Sequence, residues 1–372
     1  MQKKWNCLGL MSGTSGDGVD ASLISTNGIN EYDSIKDKYF EYDIDIYKDI
    51  HNLKGKIHTI DHLKTFSKEL NNLERKITIF HAEIIKEFKL TKDTIIGFHG
   101  QTIYHNPSER VSKQLGNGKL LNQLTNNNIV YNFRKNDILN GGQGAPLTPV
   151  FHQLIALKKR IDLPVCFLNI GGISNITIIK INNELSKLVS KDIGPGNCLI
   201  DSWVRNNSNK KFDLDGQLAT IGKRNEIIFE QAQELYINRS NKNKLSFDTN
   251  DFDISFVRGL NLEDGVATLT DFTASIIGEE LLSSLNETKE KIENILLCGG
   301  GRKNKILIKK IKENLTSNIK LKNLDDFEIN GDFVESQAFA FLAIRSILNL
   351  PITFPNTTGC KKPCAGGDLI KN

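Results

Sequence analysis

The chain has 372 residues, 25% charged and 39% apolar, with a formal net charge of +4. That balance fits a soluble globular protein of about two or three domains with large cores. It also excludes several classes: the basic residues are scattered in short Lys-Lys pairs rather than a nucleic-acid stripe, no apolar run nears the roughly 20 residues of a membrane span, and six cysteines are too sparse for a disulfide framework.

Residues 8–24 (LGLMSGTSGDGVDASLI) place a glycine- and hydroxyl-rich loop between two strand-like runs. Gly9, Gly13, Gly16 and Gly18 free the backbone, and Ser12, Thr14 and Ser15 add donors, so the loop suits an anion. Val19–Ile24 alternates as a strand does, so the loop is expected at a hairpin tip rather than before a helix. No Gly-Lys-Ser/Thr ending is present, which argues against a Walker-type kinase. An ordinary hairpin turn with spare glycines fits the same segment.

Apolar residues recur every three or four positions from Ile57 to Phe88, predicting one long amphipathic helix. Thr94–Phe98 predicts a short strand, with His99 and Gln101 in the loop at its end. Residues 132–149, dense in Gly, Pro and Asn, predict an irregular crossing between domains. Val165–Ile181 then repeats the opening arrangement as strand, GGISN loop and strand; the loops at Gly13 and Gly171 begin 158 residues apart. That pairing suggests a duplicated domain with a phosphate loop in each half.

Helices are predicted over Thr268–Leu285 and Glu335–Leu348. Ile292–Cys298 predicts a strand, followed by GGGRKN and a helix over Lys305–Leu315. Gly299, Gly300 and Gly301 at this turn would let a flat ring lie against bare backbone near a helix N-terminus. Tight strand–helix packing would also call for them, and Asn304 would cap the helix. Cys360 and Cys364 form one close pair without companions, so no protein-held metal is expected. Met1–Met11 lacks a signal-peptide pattern, and a cytoplasmic protein is expected.

Two hairpin loops and one strand–glycine–helix turn resemble the superfamily of sugar kinases, heat-shock chaperones and actin. The resemblance narrows at GLMSGTSGDGVD (9–20), GFHGQTIYHNP (97–107), NFRKNDILNGGQGAPL (132–147), NIGGISNIT (169–177) and DIGPGN (192–197). It continues at FDLDG (212–216), ATLTDFTA (267–274), LCGGGRKN (297–304), ESQAFAFLA (335–343) and TTGCKKPCAGG (357–367). The series resembles the anhydro-N-acetylmuramic acid kinase family from about residue 8 to 370.

The resemblance implies a two-domain actin-like ATPase (ribonuclease H-like) α/β fold with a deep interdomain cleft. The domains are expected at 1–134 plus 338–372 and at 135–337. It implies ATP and Mg²⁺ as cofactors, a homodimer, and no nucleic-acid or membrane partner. The implied reaction opens the 1,6-anhydro bridge of 1,6-anhydro-N-acetylmuramic acid with water and phosphorylates the freed 6-oxygen, in peptidoglycan recycling. Kinases for other anhydrosugars such as levoglucosan, and ATP-switch chaperones or filament proteins, are the alternatives.

Residue by residue, the ATP-binding run falls on Gly13, Thr14, Ser15, Gly16, Asp17, Gly18, Val19 and Asp20. Gly171, Gly172, Asn175, Gly299, Gly300, Gly301 and Asn304 complete the expected nucleotide contacts. Asp192 falls at the family's general base, followed by Ile193 where the family more often has Thr. Mg²⁺ keeps several waters, so Asp17 or Asp20 would act on it through water. Arg134 and Glu335 are the expected sugar contacts: an Arg pairs with a lactyl carboxylate, and a carboxylate accepts from hydroxyl or amide groups. An interdomain salt bridge for Arg134 and a helix-start charge for Glu335 are the competing, weaker readings. His99 and Gln101 are further candidates and His105 a weaker one, while Asp137 would orient Arg134.

Overall fold

The alternating run near the N-terminus forms a hairpin of β1 (Trp5–Ser12) and β2 (Gly18–Thr26), in register from Trp5–Thr26 to Met11–Asp20. β3 (Tyr32–Glu41) continues antiparallel on β2. On the other side of β1, β4 (Ile95–Asn106) runs parallel, and β6 (Asn128–Tyr131) runs parallel beyond it. β5 (Val111–Leu115) folds back on β4.

A second sheet repeats this plan. β7 (Val165–Ile170) and β8 (Ile173–Ile179) form its hairpin, with β9 (Val189–Pro195) beside β8. β10 (Asn294–Cys298) runs parallel to β7, and β11 (Lys320–Asn323) parallel to β10. The orders β3-β2-β1-β4-β6 and β9-β8-β7-β10-β11 therefore correspond strand for strand; β12 (Asp368–Ile370) adds an antiparallel edge to β6. The architecture is mixed α/β with two sheets, and the expected internal duplication is visible in their topology.

The computed structural model describes residues 3–237 and 245–372 and divides into two units. The first holds 1–162, 182–190 and 332–372; the second holds 163–181 and 191–331. This differs from the expected boundaries. Residues 135–162 stay with the first unit, because the apolar helix Pro149–Lys158 sets Phe151 against Tyr32 and Phe341. Residues 332–337 join it as the first turn of the helix Val334–Ile347. The Gly/Pro/Asn-rich run at 132–149 is thus no crossing: it packs within one unit.

The expected helix over 57–88 is broken. Ile57 precedes it, and Phe66 (φ −97°, ψ 22°) divides Ile60–Thr65 from Ser67–Glu87. Only the second piece is strongly buried, through Leu70, Leu73, Ile77, Ile84 and Ile85 in the core of the first unit.

The helix Val334–Ile347 lies on β1 and β4 at two bare positions. Gly9 and Gly97 are partners across the ladder. A Cβ on Gly9 would lie 1.9 Å from the Ser336 carbonyl oxygen, and one on Gly97 would lie 2.3 Å from that of Phe339. Gly9 therefore serves helix seating rather than loop freedom. Ser22 and Ser336 hydroxyls meet at 2.6 Å beneath the same helix.

Candidate active site

The first loop is the β1–β2 connection, as expected, and it is tied down by its carbonyls. Gln101 Nε2 donates to Gly13 O at 2.9 Å, Lys54 Nζ donates to Thr14 O, and Tyr42 N–H donates to Asp17 O at 2.9 Å. Gly16 N–H closes the turn on Gly13 O at 3.2 Å, with Gly16 alone of the run in the positive-φ region (+68°). A loop whose carbonyls are turned into the protein suits an anion. Ser12 is not a loop donor: its hydroxyl is buried 2.7 Å from the Tyr42 hydroxyl.

Gly18, Val19 and Asp20 belong to β2. Val19 is fully buried in the core, so only its backbone is available to a ligand. Asp17 Oδ1 is buried and has no partner among the described residues. Burial, and then the carboxylates of Asp17, Asp20 and Glu41, raise the Tyr39 hydroxyl pKa and keep it protonated.

His99 and Gln101 are not in a strand-end loop. They lie inside β4, where Gly100 takes φ +75° and the ladder with β1 skips a residue between Leu10 and Ser12. The bulge turns both polar side chains toward neighbouring backbone or side chains. Gln101 is fully buried; its Nε2 also reaches Thr102 O at 3.4 Å, and its Oε1 is without a partner among the described residues.

Arg134 Nη2 meets His99 Nε2 at 3.0 Å, and Nη1 donates to Gly144 O at 2.8 Å. Asp137 orients Arg134 only indirectly. Its Oδ2 accepts from Gly144 N–H at 2.7 Å and its Oδ1 from the Thr358 hydroxyl at 2.6 Å. His105 instead pairs with Ser112 Oγ at 2.9 Å on the β4–β5 ladder. Glu335 is half-buried in the first turn of the helix Val334–Ile347.

In the second unit the loop is only a two-residue turn, Gly171–Gly172; Ile173, Ser174 and Asn175 already belong to β8. Its carbonyls are held by backbone: Gly196 N–H donates to Gly172 O at 2.9 Å and Asn197 N–H to Gly171 O at 2.8 Å. Ser174 Oγ donates to Pro195 O at 3.1 Å. The loop is thereby joined to the DIGPGN run. Asn175 lies opposite Asn169, its Oδ1 buried and without a partner among the described residues.

Asp192, in β9, is 8% exposed. Its N–H donates to Leu245 O at 2.9 Å, and its Oδ2 accepts from Phe247 N–H at 2.7 Å. Main chain and carboxylate are thus fixed against the same short segment. Ile193, its neighbour, is buried; successive strand side chains alternate faces, so the missing hydroxyl there would not lie beside the carboxylate.

The third loop divides its three glycines between two uses. A Cβ on Gly299 (φ +78°) would strike Asn169 Oδ1, and one on Gly301 would strike Ile170, while one on Gly300 meets nothing within 4 Å. Packing explains the outer two, and Gly300 presents bare backbone to open space. Asn304 Oδ1 caps the helix Lys305–Glu313 by accepting from Leu307 N–H at 3.0 Å.

One partner of this loop has no local signal in the sequence. The buried Arg302 pairs bidentately with Asp325 at 2.7 and 2.9 Å and donates to Gly299 O at 3.0 Å. Arg302, foremost, holds the Asp325 carboxyl below the usual carboxylate range. Among the described residues, no three His, Cys, Asp or Glu gather as a metal cluster, and no helix is long and apolar enough to cross a membrane.

The sequence profile of the anhydro-N-acetylmuramic acid kinase family matches residues 5–372. The chain belongs to the anhydro-N-acetylmuramic acid kinase family. It is 54% identical to the anhydro-N-acetylmuramic acid kinase of Pelagibacter ubique, covering 100% of both chains. It is 34% identical to that of Agrobacterium fabrum over 98% of each. As a member of the anhydro-N-acetylmuramic acid kinase family it is an enzyme, a phosphotransferase. Among solved structures, an activator of 2-hydroxyisocaproyl-CoA dehydratase from Clostridium difficile with bound ADPNP is 12% identical, with TM-score 0.40, covering 91% of this chain and 94% of that one. At that distance the fold description rests on the two sheets themselves.

Proposed function

We propose that the enzyme uses ATP and water to convert 1,6-anhydro-N-acetylmuramic acid to N-acetylmuramic acid 6-phosphate and ADP. Asp192 takes a proton from water as its oxygen attacks the anomeric carbon. The bond from that carbon to the 6-oxygen breaks, and the 6-oxygen receives the γ-phosphoryl group. The 6-oxygen starts without a proton, so the base acts on water rather than on a sugar hydroxyl. General-base assistance of this kind contributes about 10²–10⁴-fold.

The observation that carries this reading is the buried Asp192 carboxylate with one oxygen fixed by Phe247 N–H. A base held by backbone meets its water without reorganising. Phosphoryl transfer itself depends on positioning and on neutralising charge around the γ-phosphate. The 13–20 loop is assigned to the phosphates with Gly171, Gly172 and Asn175, and Gly299, Gly300, Gly301 and Asn304 to the adenosine.

The buried Asp17 Oδ1, without a partner among the described residues, suits a Mg²⁺ ion or one of its waters, ahead of Asp20. Such an ion supplies charge neutralisation at the phosphates. Arg134 and Glu335 are assigned to the sugar, Arg134 to its lactyl carboxylate. Family membership supports the further reading of a cytoplasmic homodimer acting in peptidoglycan recycling.

The test is turnover with ATP-Mg²⁺ and the anhydro sugar in ¹⁸O-water. The expected product carries a 6-phosphate and label on the anomeric oxygen. A phosphorylated product with its bridge intact, or with no label, overturns the coupled reaction; ATP consumption with levoglucosan alone would move the substrate to another anhydrosugar.

A further inference from the structure

We infer that His99 is a positioning residue, whose neutral ring aims the Arg134 guanidinium and so sets selectivity for a carboxylate-bearing sugar. The inference rests on the reading that Arg134 meets the lactyl carboxylate. It reassigns His99, which the sequence offered as a sugar contact.

The hydrogen bonds fix the tautomer. His99 Nδ1 lies 2.7 Å from Gly100 O, an acceptor, so Nδ1 carries the proton. Arg134 only donates, so Nε2, 3.0 Å from Nη2, must be the unprotonated acceptor. Burial, and then the charge of Arg134, push the His99 pKa well below its ordinary value, in keeping with a neutral ring. Phe339 holds the ring from one side, centroids 4.6 Å apart.

Gly144 O holds the guanidinium at Nη1, and Asp137 fixes Gly144 in turn. Two acceptors on separate nitrogens set the plane of the fork, which is what a bidentate carboxylate contact requires. Both acceptors are uncharged. A carboxylate in the place of His99 would also orient Arg134, but it would neutralise the charge and compete with an anionic ligand. A neutral imidazole orients the cation without setting a negative charge of its own beside it.

The experiment measures sugar binding by calorimetry, for 1,6-anhydro-N-acetylmuramic acid and for 1,6-anhydro-N-acetylglucosamine, which lacks the lactyl group. His99→Leu is expected to weaken the first by about 10- to 100-fold, the worth of a charged hydrogen-bonded contact, and the second by less than about threefold. His99→Gln, whose Oε1 reaches the Nε2 position, is expected to restore most of the selectivity, with melting temperatures confirming that both variants fold. Equal weakening of both sugars, or a folded Gln variant no better than Leu, overturns the inference. Arg134→Leu separates the two levels. If it keeps wild-type selectivity, the Arg134–carboxylate reading fails; if it loses selectivity while His99→Leu keeps it, only the role of His99 fails.

Discussion

The two hairpin turns occupy equivalent places in duplicated sheets, yet they are held differently. The β1–β2 loop spans Gly13–Asp17 and hangs mainly on side chains, Gln101 on Gly13 O and Lys54 on Thr14 O, with the Tyr42 amide on Asp17 O at its end. The β7–β8 turn is two residues long and hangs on the amides of Gly196 and Asn197. A loop held by side chains can be retuned one residue at a time. A turn held by backbone moves only if the chain beside it moves, and here that chain is the run that begins with Asp192.

The comparison breaks hardest at Asp192. Asp192→Asn preserves the amide contacts of Gly196 and Asn197, so nucleotide binding and unfolding stability are expected to persist while turnover falls at least about 100-fold. Steady-state kinetics beside nucleotide titration read both, and turnover within tenfold of wild type would remove Asp192 from the base role.

Acid should then separate the units. All seven histidines lie in the first unit. Burial keeps His81 and His152 neutral, with pKa values lowered to about 4 and about 3, and lowers His99 well below its usual range. Unfolded, each binds a proton near pH 6.5, so the unfolded chain takes up more protons as pH falls through that value. Stability of the first unit should therefore decline below pH 6.5, by about 1.4 kcal/mol per pH unit for each such histidine. Hydrogen exchange at pH 7 and pH 5.5 should show greater opening in the first unit; equal change in both would contradict this.

Gly196→Ala tests the backbone-held turn. Its Cβ would lie 2.2 Å from Gly171 O, so main chain must shift, at a cost of about 1–3 kcal/mol in urea unfolding. An unchanged midpoint would mean that the turn has slack. Gln101→Leu tests the side-chain-held loop. Losing one bond to Gly13 O should raise the KM for ATP about 3- to 10-fold and leave the second unit untouched; an unaltered KM would release Gln101 from the loop.

Local signals made much of this readable. Alternation and glycine spacing marked both hairpins and the strand–glycine–helix turn, because each depends on residues adjacent in the chain. Contacts across long separations left no such mark: Arg302 finds Asp325, and His99 finds Arg134, only once the fold exists. Glycine also misled. His99 and Gln101 read as a loop at a strand's end, yet Gly100 between them makes a bulge within the strand, and the run 132–149 reads as a crossing between domains although Asp137, Gly144 and Thr358 bind it into the first unit. Both errors treat glycine as an interruption, whereas a hydrogen-bonded network can build around it.

The bare backbone at Gly9 and Gly97 also bears on the order in which the protein is made. The helix seated there begins at Val334, after the whole of the second unit has been synthesised. At roughly 5–20 residues per second, the ribosome needs about 10–35 s to pass from the end of the first unit's opening segment to that helix. Through that interval the second unit is being synthesised while the first unit's glycine face awaits its cover. Of the residues assigned to the sugar, Glu335 is the last to be translated.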